Sequence, residues 1–216
     1  MGISVLTDLI SLTINSLSSY SMKYGKRQQG KESTRLKLLQ AAASLFAKKG
    51  ISATTTKDVA THARVAHGTV FAHFPTQEAL LVAVIDDFGA RVAGRLHELL
   101  AGSADTSHAL AAHLRGLTEE EGLYSRLVSG ATALPRMART SLVMMQSTIS
   151  IHICQIAERD MAAKKIRRMP VALLFNSWVA LLHYYLSNGG LFSPGGSVLE
   201  QRGGELHKHF MSLIRP

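Results

Sequence analysis

Thr54-Thr55-Thr56-Lys57-Asp58-Val59-Ala60-Thr61-His62-Ala63-Arg64-Val65-Ala66-His67-Gly68-Thr69-Val70-Phe71-Ala72-His73-Phe74-Pro75 decides the fold. Thr55 stands where a helix N-cap belongs, and Asp58 follows at the capping-box spacing. Val59, Ala60 and Ala63 then give a short helix one small apolar face. Val65, Val70 and Phe74 form the next apolar series, and Pro75 stops it. The pattern predicts helix, tight turn, second helix. Two short helices crossing steeply need small residues at the contact, and Ala60, Ala63 and Gly68 are expected to supply them. This is helix-turn-helix geometry, whose second helix lies in the major groove of DNA.

Upstream, Leu38, Leu39, Ala42, Leu45 and Phe46 keep the 3.6-residue period from about Ser33 to Lys49. Gly50 is placed to end that helix in the left-handed conformation. Its role is structural, with Ile51 and Ala53 completing the core. Downstream, Thr76 is the expected N-cap of a long helix carrying Ala79, Leu80, Val82, Ala83, Ile85 and Phe88, continuing to about Leu100. That helix would join the DNA-reading unit to the rest.

Charge agrees with this division. The chain has 216 residues and a formal net charge of +9, which favours a polyanionic partner. From Lys23 to Glu78 there are ten bases (Lys23, Lys26, Arg27, Lys31, Arg35, Lys37, Lys48, Lys49, Lys57, Arg64) against three acids (Glu32, Asp58, Glu78). A solvated basic face is the bland alternative. Cys154 is the single cysteine, so no internal disulfide forms. It reads as a small buried hydrophobe and suits a reducing cytosol. No window has the apolar length of a membrane span, so no membrane partner is expected.

The series Leu38–Ala42, Leu45–Gly50, Ala53–Thr55, Asp58–Ala60, Ala63, Val65, Gly68–Phe71, Phe74–Pro75 and Glu78–Leu80 strongly resembles the DNA-binding domain of the TetR family of transcriptional repressors, of the TetR/AcrR type. The likeness covers about fifty residues, roughly a quarter of the chain. It implies an all-α protein: a three-helix DNA-binding domain over residues 31–85, then a helical effector-binding and dimerisation domain over 86–216. By resemblance, Thr55 or Thr56 and Lys57 hold phosphates at a helix N-terminus, where free N–H groups and the dipole favour anions. Ala66, His67 and Thr69, with Gly68 between them, would face base edges. Phe71 and His73 would flank the backbone.

The chain departs from the family pattern at four positions. Arg64 stands where glycine is frequent in the turn, and so should take a less comfortable backbone. Ala66 replaces a capping Ser or Thr, forfeiting roughly 1 kcal/mol. Phe71 lacks the hydroxyl of a common tyrosine. Gln77 replaces a common lysine; each lost phosphate cation flattens the salt dependence by about one unit of slope. These changes bear on operator contacts, not on the fold.

Residues 1–30 read as an extension. Val5, Leu6, Leu9, Ile10, Leu12, Ile14 and Leu17 are apolar with Asp8 the only charge, and the basic start of a signal peptide is missing. A packed amphipathic arm, a disordered tail and a start misplaced upstream of Met22 all fit, the last two best together. Lys23–Lys31 is basic and rich in Gly and Gln, so mobile in this reading; a groove or phosphate contact and no role at all are equally open.

Beyond Gly102 helices are expected at about 106–116, 118–131, 135–164, 169–188 and 197–214, with breaks at Gly102–Ser103, Gly116, Pro135, Pro170, Gly189–Gly190 and Ser193–Gly196. Tyr124, Met145, His152, Phe175 and Trp178 fall on these helices and are candidates to line a small-molecule cavity, although most such residues are simply core. Leu173, Leu174, Trp178, Leu181, Leu182 and Tyr185 make a stripe too apolar for a peripheral helix, so the 169–188 and 197–214 helices are the candidate dimer elements. A twofold dimer is what a single reading helix needs to grip palindromic half-sites.

No catalytic arrangement is apparent: there is no Gly-rich phosphate loop, no GxSxG elbow and no apolar carboxylate pair. Asp105, Glu119, Glu120 and Glu121 fall near expected helix starts, where acids favour the dipole. His62, His67 and His73 are spaced poorly for one metal, and no acid completes a set, so neither cofactor nor metal is expected. The sequence therefore suggests a cytoplasmic, ligand-responsive repressor binding double-stranded operator DNA as a homodimer. A helical carrier or sensor with a vestigial DNA head and a non-specific DNA binder are the competing readings.

Overall fold

The computed structural model describes residues 27–100 and 105–216, and every described element is helical. Helix α1 spans 27–49, α2 Thr56–Ala63, α3 His67–His73, α4 Gln77–Leu99 and α5 Thr106–Glu119. They are followed by α6 Glu121–Ser129, a 3-10 turn Ala131–Ala133, α7 Arg136–Ala162, α8 Val171–Ser187, α9 Gly189–Phe192 and α10 Val198–Leu213. The readings of residues 1–26 and of the Gly102–Ser103 break lie outside the described residues.

Helix α1 is already formed at residue 27, so 27–31, expected to be mobile, is helix. Its apolar face is buried as the periodicity demands: Leu38, Leu39, Ala42, Leu45 and Phe46 join one cluster with Val59, Ala60, Val70 and Phe74. Gly50 ends it at φ 92°, its N–H donating to Phe46 O at 3.0 Å.

Helix α4 joins the α1–α3 head to a body of α5–α10. It packs on α5 and α7; α8 packs on α6, α7 and α10; α10 returns to α5. The apolar cluster is continuous from Leu38 through Phe88 and Trp178 to Ile214, so head and body share one core. Thr76 caps α4 by accepting from Ala79 N–H at 3.0 Å, and Asp105 caps α5 by accepting from His108 N–H at 2.8 Å.

Gly116 does not break α5. It is a buried helical position, where an added Cβ would meet Val92 at 3.6 Å. Helix α8 does end before Gly189–Gly190, at Ser187, and the two glycines open the separate one-turn helix α9. Glu119 closes α5, and Glu120 is both the C-cap of α5 and the N-cap of α6. They pair with Arg95 and Arg91 of α4 at 3.1 and 2.6 Å. Glu121 does open α6, but its carboxylate also caps α10, taking N–H bonds from Val198 at 2.7 Å and Leu199 at 2.9 Å. Among the described residues no single helix is long and apolar enough to cross a membrane.

Candidate nucleic-acid interface

The head presents α3. Thr55 caps α2 as the spacing required: Asp58 N–H donates to Thr55 Oγ1 at 3.1 Å, and Thr55 N–H donates back to Asp58 Oδ2 at 2.9 Å. The Thr55 N–H foremost, and the Thr55 hydroxyl donating to Asp58 Oδ2 at 2.9 Å, hold the Asp58 carboxyl below its ordinary range. The turn closes through Arg64 in the left-handed region, φ 57° and ψ 47°, with Val65 N–H donating to Ala60 O at 3.0 Å. A side chain there crowds the carbonyl that glycine would clear.

Ala66 is the N-cap of α3 and offers no side-chain cap bond. The helix is tied in otherwise: Thr56 Oγ1 lies 3.0 Å from His67 Nε2, linking the first turns of α2 and α3. Val70 and Phe74 are buried beneath, so α3 is held from one side. On the other side Ala66, His67, Gly68 and Phe71 are exposed, with Thr69 and His73 half-buried. His67 and Phe71 meet edge-on, ring centroids 5.1 Å apart.

Two expectations for this unit need correction. Gly68 is not a spacer between the helices. A Cβ built there meets nothing within 4 Å, so the small contact is carried by buried Ala60 and half-buried Ala63. Gln77 is not merely an absent cation. Its Nε2 donates to Thr54 O at 2.8 Å, tying the start of α4 to the loop before α2.

The structure adds residues that the sequence reading left aside. Arg27, Lys31 and Thr34 of α1 share a groove with Thr69, Ala72 and His73 of α3. The guanidinium of Arg35 sits 4.6 Å over the ring of Phe74, a cation–π contact that braces α1 against the end of α3. The basic run upstream of Ser33 was the available signal; its helical continuation was not readable.

The five body candidates do not line one cavity. Trp178 is sealed in the core, its Nε1 donating to His113 Nδ1 at 3.1 Å and its ring against Phe210. Tyr124 is buried, stacked on Phe88, and its Oη lies 2.7 Å from His183 Nε2. Met145 is buried against Gly89. His152 is exposed on the flank of α7, about 100° round the helix from buried Ile153. Phe175 alone of the five opens onto a groove of ≈ 540 Å³ between α7 and α8. Gln146 and His183 also line it, and none of its lining residues is Asp, Glu, Lys or Arg.

The apolar stripe on α8 is divided in the same way. Leu174, Trp178 and Leu182 point inward, while Leu173 and Tyr184 are each 58% exposed. The outer face of α10 carries Glu200, Gln201, Arg202, Glu205, Lys208 and His209. Among the described residues no group of His, Cys, Asp and Glu is placed to hold a metal.

A capped helix, a left-handed turn and a second helix held from behind define a helix-turn-helix head on an all-helical body. Residues 38–84 match the bacterial regulatory proteins of the tetR family. The head therefore matches the TetR family by sequence, and the body shares only the fold of its regulators. The head is 42% identical over 72 residues to the HTH-type transcriptional repressor Rv3405c of Mycobacterium tuberculosis. That match spans 33% of this chain and 38% of the relative, well under half of either. Over most of the chain the likeness is one of fold. FadR of Bacillus subtilis, solved in complex with stearoyl-CoA, superposes at TM-score 0.68 with 14% identity, covering 82% of this chain and 97% of that one. A regulator from Saccharomonospora viridis in complex with choline superposes at 0.71 with 17% identity, covering 85% and 98%.

Proposed function

We propose that the protein is a transcriptional repressor that grips a palindromic operator as a homodimer and lets go when a small, largely apolar molecule enters the body. The observation that carries this reading is the one-sided burial of α3. Val70 and Phe74 anchor it, leaving His67, Gly68 and Phe71 exposed on the other side. Lys57 at the first turn of α2, with Thr55 and Thr56, supplies phosphate contacts, which fix position; His67 and Thr69 read base edges. Arg27 and Lys31 extend the cationic border along α1.

The head of a repressor and the body fold of ligand-bound regulators support the two halves of the proposal. The uncharged groove between α7 and α8, whose polar groups are Gln146, Ser147, Ser150, Asn176 and His183, suits a neutral effector with an apolar part against Val143, Ile151 and Phe175. Tyr124 connects His183 to Phe88 of α4, the helix that carries the head. Such a ligand acts only if it binds the DNA-incompetent arrangement more tightly. A second copy meeting the exposed half of α8, at Leu173 and Tyr184, would set two heads at half-site spacing.

The test is retardation of duplex DNA from upstream of the protein's own gene, with random duplex as competitor, alongside the mass in solution by light scattering. A dimer giving a retarded species that random DNA does not displace supports the proposal. A monomer, or equal displacement by random DNA, contradicts it.

A further inference from the structure

A further cleft is distinct from the grooves at α3 and between α7 and α8. It lies where head meets body, with a volume of ≈ 660 Å³, inside the range that holds a small organic molecule. The end of α1 and the following loop form one wall, the start of α4 the floor, and the end of α6 with Ala133, Leu134 and Pro135 before α7 the other wall. Phe46, Ile51, Leu81 and Leu134 make its surface apolar.

Its charged groups are unequally engaged. Glu78 is committed to the first turn of α7, where Met137 N–H donates to its Oε1 at 3.3 Å. Lys49, from the head, is held only by an exposed pair with Asp58 at 3.4 Å. Arg126, from the body, reaches across to the head, its Nε donating to Ala47 O at 3.3 Å. Among the described residues Arg126 faces no carboxylate within ion-pair distance. The carbonyl ends of α1 and α6 also lie here and disfavour anions by some tenths of a kcal/mol. A charge-assisted bond to a guanidinium outweighs that.

From the apolar walls and the uncompensated guanidinium we infer that this cleft binds a small amphipathic monoanion, its carboxylate on Arg126 with Lys49 beside it and its apolar part against Phe46, Ile51 and Leu81. An occupant touches both units and replaces the long Arg126–Ala47 bond, so it fixes how the head sits on the body. This makes it a second ligand site, separate in place and in charge preference from the neutral α7–α8 groove.

Calorimetric titration of the full chain, without DNA, tests this independently of any operator. The probes are hexanoate, octanoate and decanoate, with 1-octanol as the neutral counterpart. The expected result is saturable carboxylate binding that strengthens with chain length, and octanol weaker by about tenfold. Arg126→Gln should weaken octanoate by a similar factor. Ala53→Trp, placed on the exposed loop at the rim, should abolish binding, while Ala180→Trp in the α7–α8 groove should leave it unchanged. No heat with any carboxylate, octanol binding as well as octanoate, or loss of binding in Ala180→Trp but not in Ala53→Trp would overturn the inference.

Discussion

Tyr124 Oη lies 2.7 Å from His183 Nε2, with the tyrosine buried in the core of the body. Gln146 Nε2 is 3.5 Å from both atoms. Burial pushes the His183 imidazole below its ordinary range, so it stays neutral and serves as a hydrogen-bond partner. Burial, with lesser repulsion from His183, drives His113 down to about 4. Its Nδ1 accepts from Trp178, which protonation would forbid.

These two histidines make stability depend on pH. Their pKa is lower folded than unfolded, so between about 6.5 and 4 the unfolded chain binds more protons than the native one. Stability is therefore full above the unfolded value and falls as the pH drops through that window. One such group contributes about 1.4 kcal/mol per pH unit where it titrates only in the unfolded state. Urea midpoints measured across this range should decline, and His113→Gln should flatten the decline.

Arg64→Gly should stabilise the protein. The left-handed backbone at φ 57° costs a side-chain-bearing residue roughly 1–2 kcal/mol, part of which glycine returns as unfolded-state entropy. A net gain of about 0.5–1 kcal/mol in thermal or urea unfolding is expected. An unchanged or lower midpoint would mean that Arg64 makes compensating contacts.

Gly68→Ala should fold well and be slightly more stable, since the added methyl meets no atom within 4 Å and alanine favours helix by about 0.8–1 kcal/mol. Any loss of DNA affinity in this variant then reports close approach of the α3 backbone to DNA. Stability and affinity moving in opposite directions is the expected signature.

Gly89→Ala should act at the junction of α4 and α7, because its Cβ would sit 2.6 Å from Met145 Cγ. That methylene lies near the Met145 backbone, not at the free end of the chain, so α4 and α7 must separate slightly. A destabilisation of about 1–3 kcal/mol is expected. Met145→Ala in the same chain should recover part of it.

The head was largely legible because its determinants are local. The Thr55–Asp58 box, the Gly50 stop and the Thr76 cap each act over a few residues, and each forms as read. What escaped was long-range. Gln77 was judged by the cation it lacks, yet its bond reaches Thr54, 23 residues away. Glu121 caps a helix 77 residues downstream, and Asp160 takes the Thr106 N–H from 54 residues off. No periodicity encodes such pairs. In the body, amphipathic side chains read equally as core or as cavity lining, and Trp178 proved to be core while His152 proved to be surface.

The central claim is that the exposed side of α3 reads DNA, and His67 tests it most directly. Fluorescence anisotropy with labelled upstream duplex should give saturable binding by the native protein. His67→Ala should weaken it by about 1–3 kcal/mol and blur discrimination against random duplex. Lys57→Ala should instead weaken all duplexes alike and lower the salt slope by about one. Undiminished, equally selective binding by a folded His67→Ala would contradict the account, as would failure of the native protein to bind any duplex at low salt.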